Sequence, residues 1–265
     1  MSSADNGEGL AALAFSPHPD DVEMCCGGLL ALLASRGHRV GVVDLTRGEL
    51  ATNGTPETRA VEARAASEVL GLALRENLGI ADGFVDGTGG AQDTASPADS
   101  QLGRMVEAIR RHRPELVLAP HPHARHPDHV ATSALVTRAV FFAGLTRFET
   151  APSRPRHVPR RLIYYGMRGA FEPSFVTDIS AVYEQKRAAV ACYGSQVQRA
   201  PDDAATLANA PLGADAWDAR DRYYGAMIGA AFGEPYRIHG ALALADPVEH
   251  FRAGSPDALF FPALP

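Results

Sequence analysis

Short apolar runs that alternate with helical patterns constrain this chain more than any other feature. Leu10 to Phe15, Arg39 to Leu45 and Leu116 to Ala119 read as buried strands, and Leu74 to Ile80 could form a short third strand between them. A helical pattern surrounds Leu29 to Leu33, and Pro56 and Glu57 open a second that runs to Leu70, with Gly71 as its stop. Leu102 to Arg113 is helical up to Pro114, and a fourth helix is expected from Pro127 to about Gly144. Parallel strands need crossovers of this length, usually a helix, whereas hairpins do not. The expectation is an α/β fold, a mostly parallel, doubly wound sheet with helices on both faces.

Past Phe148 the pattern changes into a C-terminal portion with extra strands and helices. Leu162 to Tyr165 and Phe175 to Asp178 read as strands that could form a hairpin or an edge, and Tyr183 to Tyr193 as a helix. Ala81 to Ser100 reads as a loop, Arg199 to Ala214 as a mobile loop, and Trp217 to Phe232 as the last helix. No composition shift marks a boundary, so residues 1–265 are expected to be one domain, with residues 1–9 a disordered lead-in.

Composition excludes several partners. The net charge of −6 is spread along the chain without a basic patch carrying interleaved aromatics, so no nucleic acid is expected. No apolar run reaches the ~20 residues of a membrane helix, and the N-terminus lacks the regions of a signal peptide. Cys25 and Cys26 are neighbours and Cys192 stands alone, an odd set suited to a reducing compartment. The expected location is the cytoplasm, and Cys25 and Cys26 read as small apolar residues rather than as metal ligands.

Two clusters carry chemistry. Ser16-Pro17-His18-Pro19-Asp20-Asp21 follows the first strand, and Arg125-His126-Pro127-Asp128-His129 follows the fourth. Both fall at carboxyl ends of strands, where ligands collect in open α/β sheets. Consecutive Asp20 and Asp21 cannot point the same way, so one can face a metal beside His18 while the other stands alongside. Pro127 suits the first turn of a helix, which puts His126 at the cap and His129 three residues on, facing the same centre. Asp128 then lies near the helix N-terminus, where negative charge is favoured. Two imidazoles and a carboxylate, here His18, Asp21 and His129, form the ligand set of a catalytic zinc whose fourth position is left to water. Asp20 is placed by adjacency to move protons, and His126, protonated or paired with Asp128, to stabilise an oxyanion. Arg47, at the end of the second strand, is a candidate anchor for a substrate carboxylate, or else a partner of Glu49 or Glu57. His121 and His123 are expected at substrate or in solvent.

Pro17-His18-Pro19-Asp20-Asp21-Val22-Glu23 with Cys26-Gly27-Gly28, followed by His126-Pro127-Asp128-His129, resembles the signature of the LmbE-like (PIG-L) zinc-dependent N-deacetylases. Asp44 to Glu49, Arg75 to Leu78, Asp82-Gly83-Phe84 and Tyr193-Gly194-Ser195-Gln196 resemble the branch that deacetylates N-acetylglucosaminyl-malate in bacillithiol biosynthesis, as do Pro173 to Phe175 and Arg220 to Gly225. The resemblance implies a Rossmann-like fold and one zinc per chain on His18, Asp21 and His129, another divalent metal being compatible with the same ligands. It also implies Asp20 as general base, His126 as electrostatic partner, Arg47 at the substrate and a homo-oligomer. A mobile tyrosine polarises the carbonyl in that family, and Tyr193 and Tyr224 are the candidates here. Ala124 stands where related sequences often carry an acid, and His121 and His123 are unusual there. The same chemistry on a mycothiol-type N-acetylglucosaminyl-inositol, a thiol-conjugate amide or a glycosylated natural product is the near alternative. A nucleotide-binding module is the distant one, but it would need a glycine-rich turn where this chain has His-Pro-Asp-Asp.

Overall fold

The computed structural model describes residues 9–89, 96–169, 171–210, 213–246 and 248–249. The expected lead-in thus lies almost wholly outside the described residues. Five parallel strands form one side of the sheet: β1 (Ala12–Ser16), β2 (Val40–Asp44), β3 (Leu74–Asn77), β4 (Leu116–Pro120) and β5 (Arg161–Tyr165). The crossovers are α1 (Asp21–Ser35), α2 (Pro56–Leu70), α3 (Gln101–His112) and α4 (Pro127–Ala143). Local chemistry sets these bounds. Thr55 caps α2 by accepting the Thr58 N–H, Pro56 occupies its first turn, and Gly71 ends it at φ 72°.

Successive side chains of a strand point to opposite faces, and the two cores follow that alternation. Leu13 and Phe15 of β1 pack with Met105 and Ile109 of α3 and with Leu135 and Ala139 of α4. Ala12 and Ala14 face the other way, toward Val22, Cys25, Cys26 and Leu30 of α1. Small residues on that second face let α1 lie close to the sheet.

The remaining elements are β6 (Phe175–Asp178), α5 (Tyr183–Ala191), the single turn α6 (Gly194–Val197), α7 (Gly213–Ala226) and β7 (Gly233–Arg237), with short 3₁₀ turns at Pro97–Asp99 and Ser180–Val182. The strand order is β3-β2-β1-β4-β5-β7-β6. Two expectations are corrected here. β5 and β6 make no hairpin, because β7 lies between them and pairs antiparallel with both; β6 is nonetheless the edge. The last helix begins at Gly213 and stops at Ala226, and part of the span read as helix is a turn leading into β7. Among the described residues, no helix is long and apolar enough to cross a membrane.

From β1 the chain winds outward through β2 and β3, and then restarts on the other side with β4 and β5. The reversal lies between β1 and β4. A crevice opens at the carboxyl ends of strands at such a point, and both clusters sit there.

Candidate active site

Four residues after β1 the backbone turns sharply: Asp20 has φ 115°, a region that L-residues rarely adopt. That turn separates the two aspartates. Asp21 opens α1 and sends Oδ2 back to the His18 backbone N–H at 3.1 Å. Asp20 instead faces Arg59, whose guanidinium lies 3.1 Å from Asp20 Oδ2 and also donates to the Pro19 carbonyl.

His18, Asp21 and His129 converge. His18 Nδ1 lies 3.2 Å from Asp21 Oδ2, His129 Nε2 lies 3.1 Å from that same oxygen, and the two nitrogens are 3.3 Å apart. Ligands about 2.0–2.1 Å from a tetrahedral zinc are separated by about 3.3 Å, so these three atoms fit one ion. The far side of His18 supports the same reading. Its Nε2 lies 3.0 Å from Asp82 Oδ1 and 3.4 Å from Asp128 Oδ2. Donation of Nε2–H to these carboxylates leaves the Nδ1 lone pair toward Asp21 and His129, the outer support expected of a metal-binding histidine. Asp82 and Asp128 are held in turn by the N–H groups of Leu50 and Gly83, at 2.9 and 2.8 Å.

Two wider groups share this place: His18, His126 and His129, and His18, Asp82 and Asp128, each with donor atoms within 4.8 Å of one another. The electrostatics favour a cation throughout. Burial opposes charge on His18, but Asp128, Asp21 and Asp82 outweigh it and raise its pKa well above the usual value. Burial would raise Asp21 as well, yet His129 and His18 hold it low. Asp82 falls to about 2, because the bonds from His18 and Leu50 outweigh its burial. Asp20 goes the other way. Burial pushes it up to about 8 against the pull of Arg59, with Asp21 adding repulsion.

His126 caps α4. Its Nδ1 accepts the backbone N–H of Asp128 at 3.2 Å, which puts the ring proton on Nε2. The expected pairing of His126 with the Asp128 carboxylate is replaced by this backbone bond, and the carboxylate turns toward His18. Burial, then the charges of His18 and His129, lower the His126 pKa and keep the ring neutral. Asp20, Asp21, His126 and His129 line a cleft of 680 Å³ with Met24, Arg125, Arg168, Leu207 and Trp217 among its other walls.

Three expected substrate residues lie elsewhere. The Arg47 side chain is 59 % exposed, pairs with Glu49 at 3.5 Å and lines a separate hollow of 230 Å³ beside Pro19 and Arg75. Tyr193 is buried, with its hydroxyl on Glu23 at 3.2 Å, and Tyr224 is buried with its hydroxyl on the backbone of Phe171. Neither ring lines the cleft in this structure. His123 lines the cleft; His121 is buried in a neighbouring wall. Within the span read as a mobile loop, Ala204 makes reciprocal bonds with Asn53 (3.0 and 3.2 Å) and the Leu207 carbonyl accepts from Arg168 at 3.0 Å. Arg59 and Asp82 escaped sequence reasoning. Arg59 looks like one more solvent-facing arginine of α2, and Asp82 like one more acid in a loop.

Comparison with known proteins decides the family. The model of the PIG-L family, GlcNAc-PI de-N-acetylase, matches residues 13–140, which include both clusters. A diacetylchitobiose deacetylase of Thermococcus kodakarensis is 30% identical over 241 residues, covering 85% of this chain and 82% of that one. The chain belongs to the PIG-L family. Its reaction is therefore the hydrolysis of an N-acetyl amide, in a family of metal-dependent enzymes. Another PIG-L relative, a probable N-acetyl-α-D-glucosaminyl L-malate deacetylase 2 of Bacillus cereus, is 29% identical over 72% of this chain and 86% of its own. Among solved structures, the conserved protein TT1542 of Thermus thermophilus is 38% identical, with a TM-score of 0.77 over 89% of this chain and 98% of that one.

Proposed function

We propose that this PIG-L protein is a zinc-dependent deacetylase of an N-acetylglucosamine conjugate, with N-acetylglucosaminyl-malate, the bacillithiol precursor, as its substrate. The observation that carries the reading is the convergence of His18 Nδ1, Asp21 Oδ2 and His129 Nε2 within 3.3 Å, with Asp20 set beside them on its own arginine. The likeness to the Bacillus cereus relative, and the sequence resemblance to that branch, support the malate conjugate. The proposal includes a cytoplasmic location and a homo-oligomer.

His18, Asp21 and His129 would hold the zinc, which would supply a Lewis acid and bring the pKa of a water down to ~7. The chain does the rest. Asp20 Oδ takes the water's proton and returns it to the departing nitrogen, which cannot leave as an anion. Arg59 keeps Asp20 on the cleft side of the turn. The Nε2–H of His126 donates to the acetyl oxygen as negative charge develops there. Asp82 and Asp128 hold the His18 ring and so fix the angle of its Nδ1.

Asp20→Asn is expected to lower acetate release by about 10²–10⁴-fold, the usual range for a general base, while bound zinc, measured by atomic absorption, stays at one per chain. Unchanged turnover in that variant would remove Asp20 from the mechanism. The same chemistry on diacetylchitobiose or N-acetylglucosaminyl-inositol is separated by comparing kcat/KM for the three amides.

A further inference from the structure

Beside the cleft lies a second hollow of 330 Å³, lined by His121, His123, Met167, Gly169, Phe171 and Arg237. His123, Met167 and Gly169 line the cleft as well, so the two spaces share a wall. At Gly169 that wall has no side chain, and a Cβ placed there would meet nothing within 4 Å. An extended substrate can therefore reach from one space into the other.

Two donors face this hollow, the Nε2–H of His121 and the Arg237 guanidinium. The His123 backbone N–H donates to His121 Nδ1 at 3.3 Å, which puts the His121 proton on Nε2. Burial, then the neighbouring charges of His123 and Arg237, lowers the His121 pKa, so the ring is neutral and accepts nothing further on Nε2. Arg237 donates to the Glu172 carbonyl at 3.4 Å. Among the described residues, no carboxylate pairs with Arg237 and no acid lines the hollow. The frame is also built rather than incidental: His121 stacks on Phe171 at 4.7 Å, and the Phe171 backbone is held by the Tyr224 hydroxyl at 3.0 and 3.1 Å. The proposed acetyl hydrolysis uses neither His121 nor His123.

We infer that this hollow is a subsite for a carboxylate on the aglycone of the substrate, gripped by Arg237 and the Nε2–H of His121, with Phe171 and Met167 against its carbon chain. The inference rests on the N-deacetylase reading and adds the residues that select the substrate. A guanidinium and a neutral N–H donor favour a carboxylate, leave a neutral sugar without gain and repel an ammonium-bearing one.

The test compares zinc-loaded wild type with Arg237→Gln, Arg237→Lys and His121→Phe. The readouts are kcat/KM for N-acetylglucosaminyl-malate and for diacetylchitobiose, and calorimetric titration with L-malate alone. Wild type is expected to prefer the malate conjugate by about tenfold or more, the scale of one charge-assisted contact. Arg237→Gln and His121→Phe are each expected to lower that preference by about tenfold, mainly through KM, and Arg237→Lys to restore part of it. A preference unchanged in both variants, or a wild type that prefers the neutral sugar, overturns the subsite. If wild type releases acetate from neither conjugate, the malate reading of the reaction fails, and the titration judges the subsite by itself. Malate binding that is weakened in Arg237→Gln then supports it, and binding that is absent or undiminished overturns it.

Discussion

Asp20 and Asp21 show how much a single backbone turn decides. They are the same residue type, one position apart, yet one has its oxygens among imidazoles and the other against a guanidinium. Arg59 is thus as much part of the proposed proton relay as Asp20 itself. Arg59→Met is expected to lower kcat by about 10–10²-fold, part of the contribution of a general base, with stoichiometric zinc retained. Arg59→Lys keeps the charge but not the planar guanidinium whose single Nη2 meets both Asp20 and the Pro19 carbonyl, and should fall between. The thiols give a second prediction at this scale. Cys25 and Cys26 are fully buried in the α1 face of the core, where desolvation pushes Cys25 up to about 12 and raises Cys26 as well. Only thiolates react, so a thiol reagent at pH 8 should label Cys192 alone in the folded protein and all three thiols after denaturation. Labelling of Cys25 or Cys26 in the native state would contradict this burial.

At the scale of elements, α1 is held from an unexpected quarter. Glu234 of β7 accepts the mid-helix N–H groups of Gly28 and Leu29, at 2.8 and 2.7 Å, and Arg220 of α7 donates to the Met24 carbonyl at 3.1 Å. Those groups would ordinarily serve bonds within the helix. Lys186 of α5 closes the cluster, 2.6 Å from Asp221 and 2.8 Å from Glu234, with all three side chains almost wholly buried. Lys186→Met leaves two carboxylates with less compensation, and should cost roughly 3–5 kcal/mol in a urea titration. Gly28→Ala places a methyl 2.8 Å from Ile179 and 2.9 Å from Glu234 Oε1, and should cost about 1–3 kcal/mol. None of this could be read along the chain, because Lys186 and Glu234 look like ordinary surface charges until three distant elements bring them together. β7 was missed for a related reason: Gly233-Glu234-Pro235-Tyr236-Arg237 lacks the β-branched run that marks β2, and its only claim to be a strand is the gap it fills. β1, β2 and β4 were legible because they are buried on both faces and read as largely apolar runs, whereas β3 is only partly buried and reads Leu-Arg-Glu-Asn.

For the whole molecule, the decisive fact is that the donor set comes from both sides of the topological reversal between β1 and β4. On the proposed reading, zinc would bind this folded arrangement and would find no equivalent site in the unfolded chain, so it should stabilise the protein globally. Free zinc at about a hundred times Kd contributes about 2.7 kcal/mol, which for a chain of this length corresponds to roughly 5–10 °C in Tm. Chelation should lower Tm by that amount and zinc should restore it. His129→Ala should abolish the shift, whereas Asp20→Asn should keep it; equal shifts in the two variants would remove His129 from the ligand set. The site was half legible at this scale. His18, Asp21 and His129 lie in short local motifs whose turns bring out their chemistry, whereas the support from Asp82 depends on a loop that only the fold brings against His18.

The position of β7 also has a temporal meaning. On the ribosome, His18, Asp21 and His129, and then the last parallel strand β5, are made before β7. The strand that anchors α1, and with it Asp21, comes more than a hundred residues after His129 and must enter between two strands already synthesised. Until it does, β5 presents an open edge and Gly28 and Leu29 lack their carboxylate. If the proposed site holds zinc, a nascent chain arrested before Gly233 should bind it more weakly than the released protein.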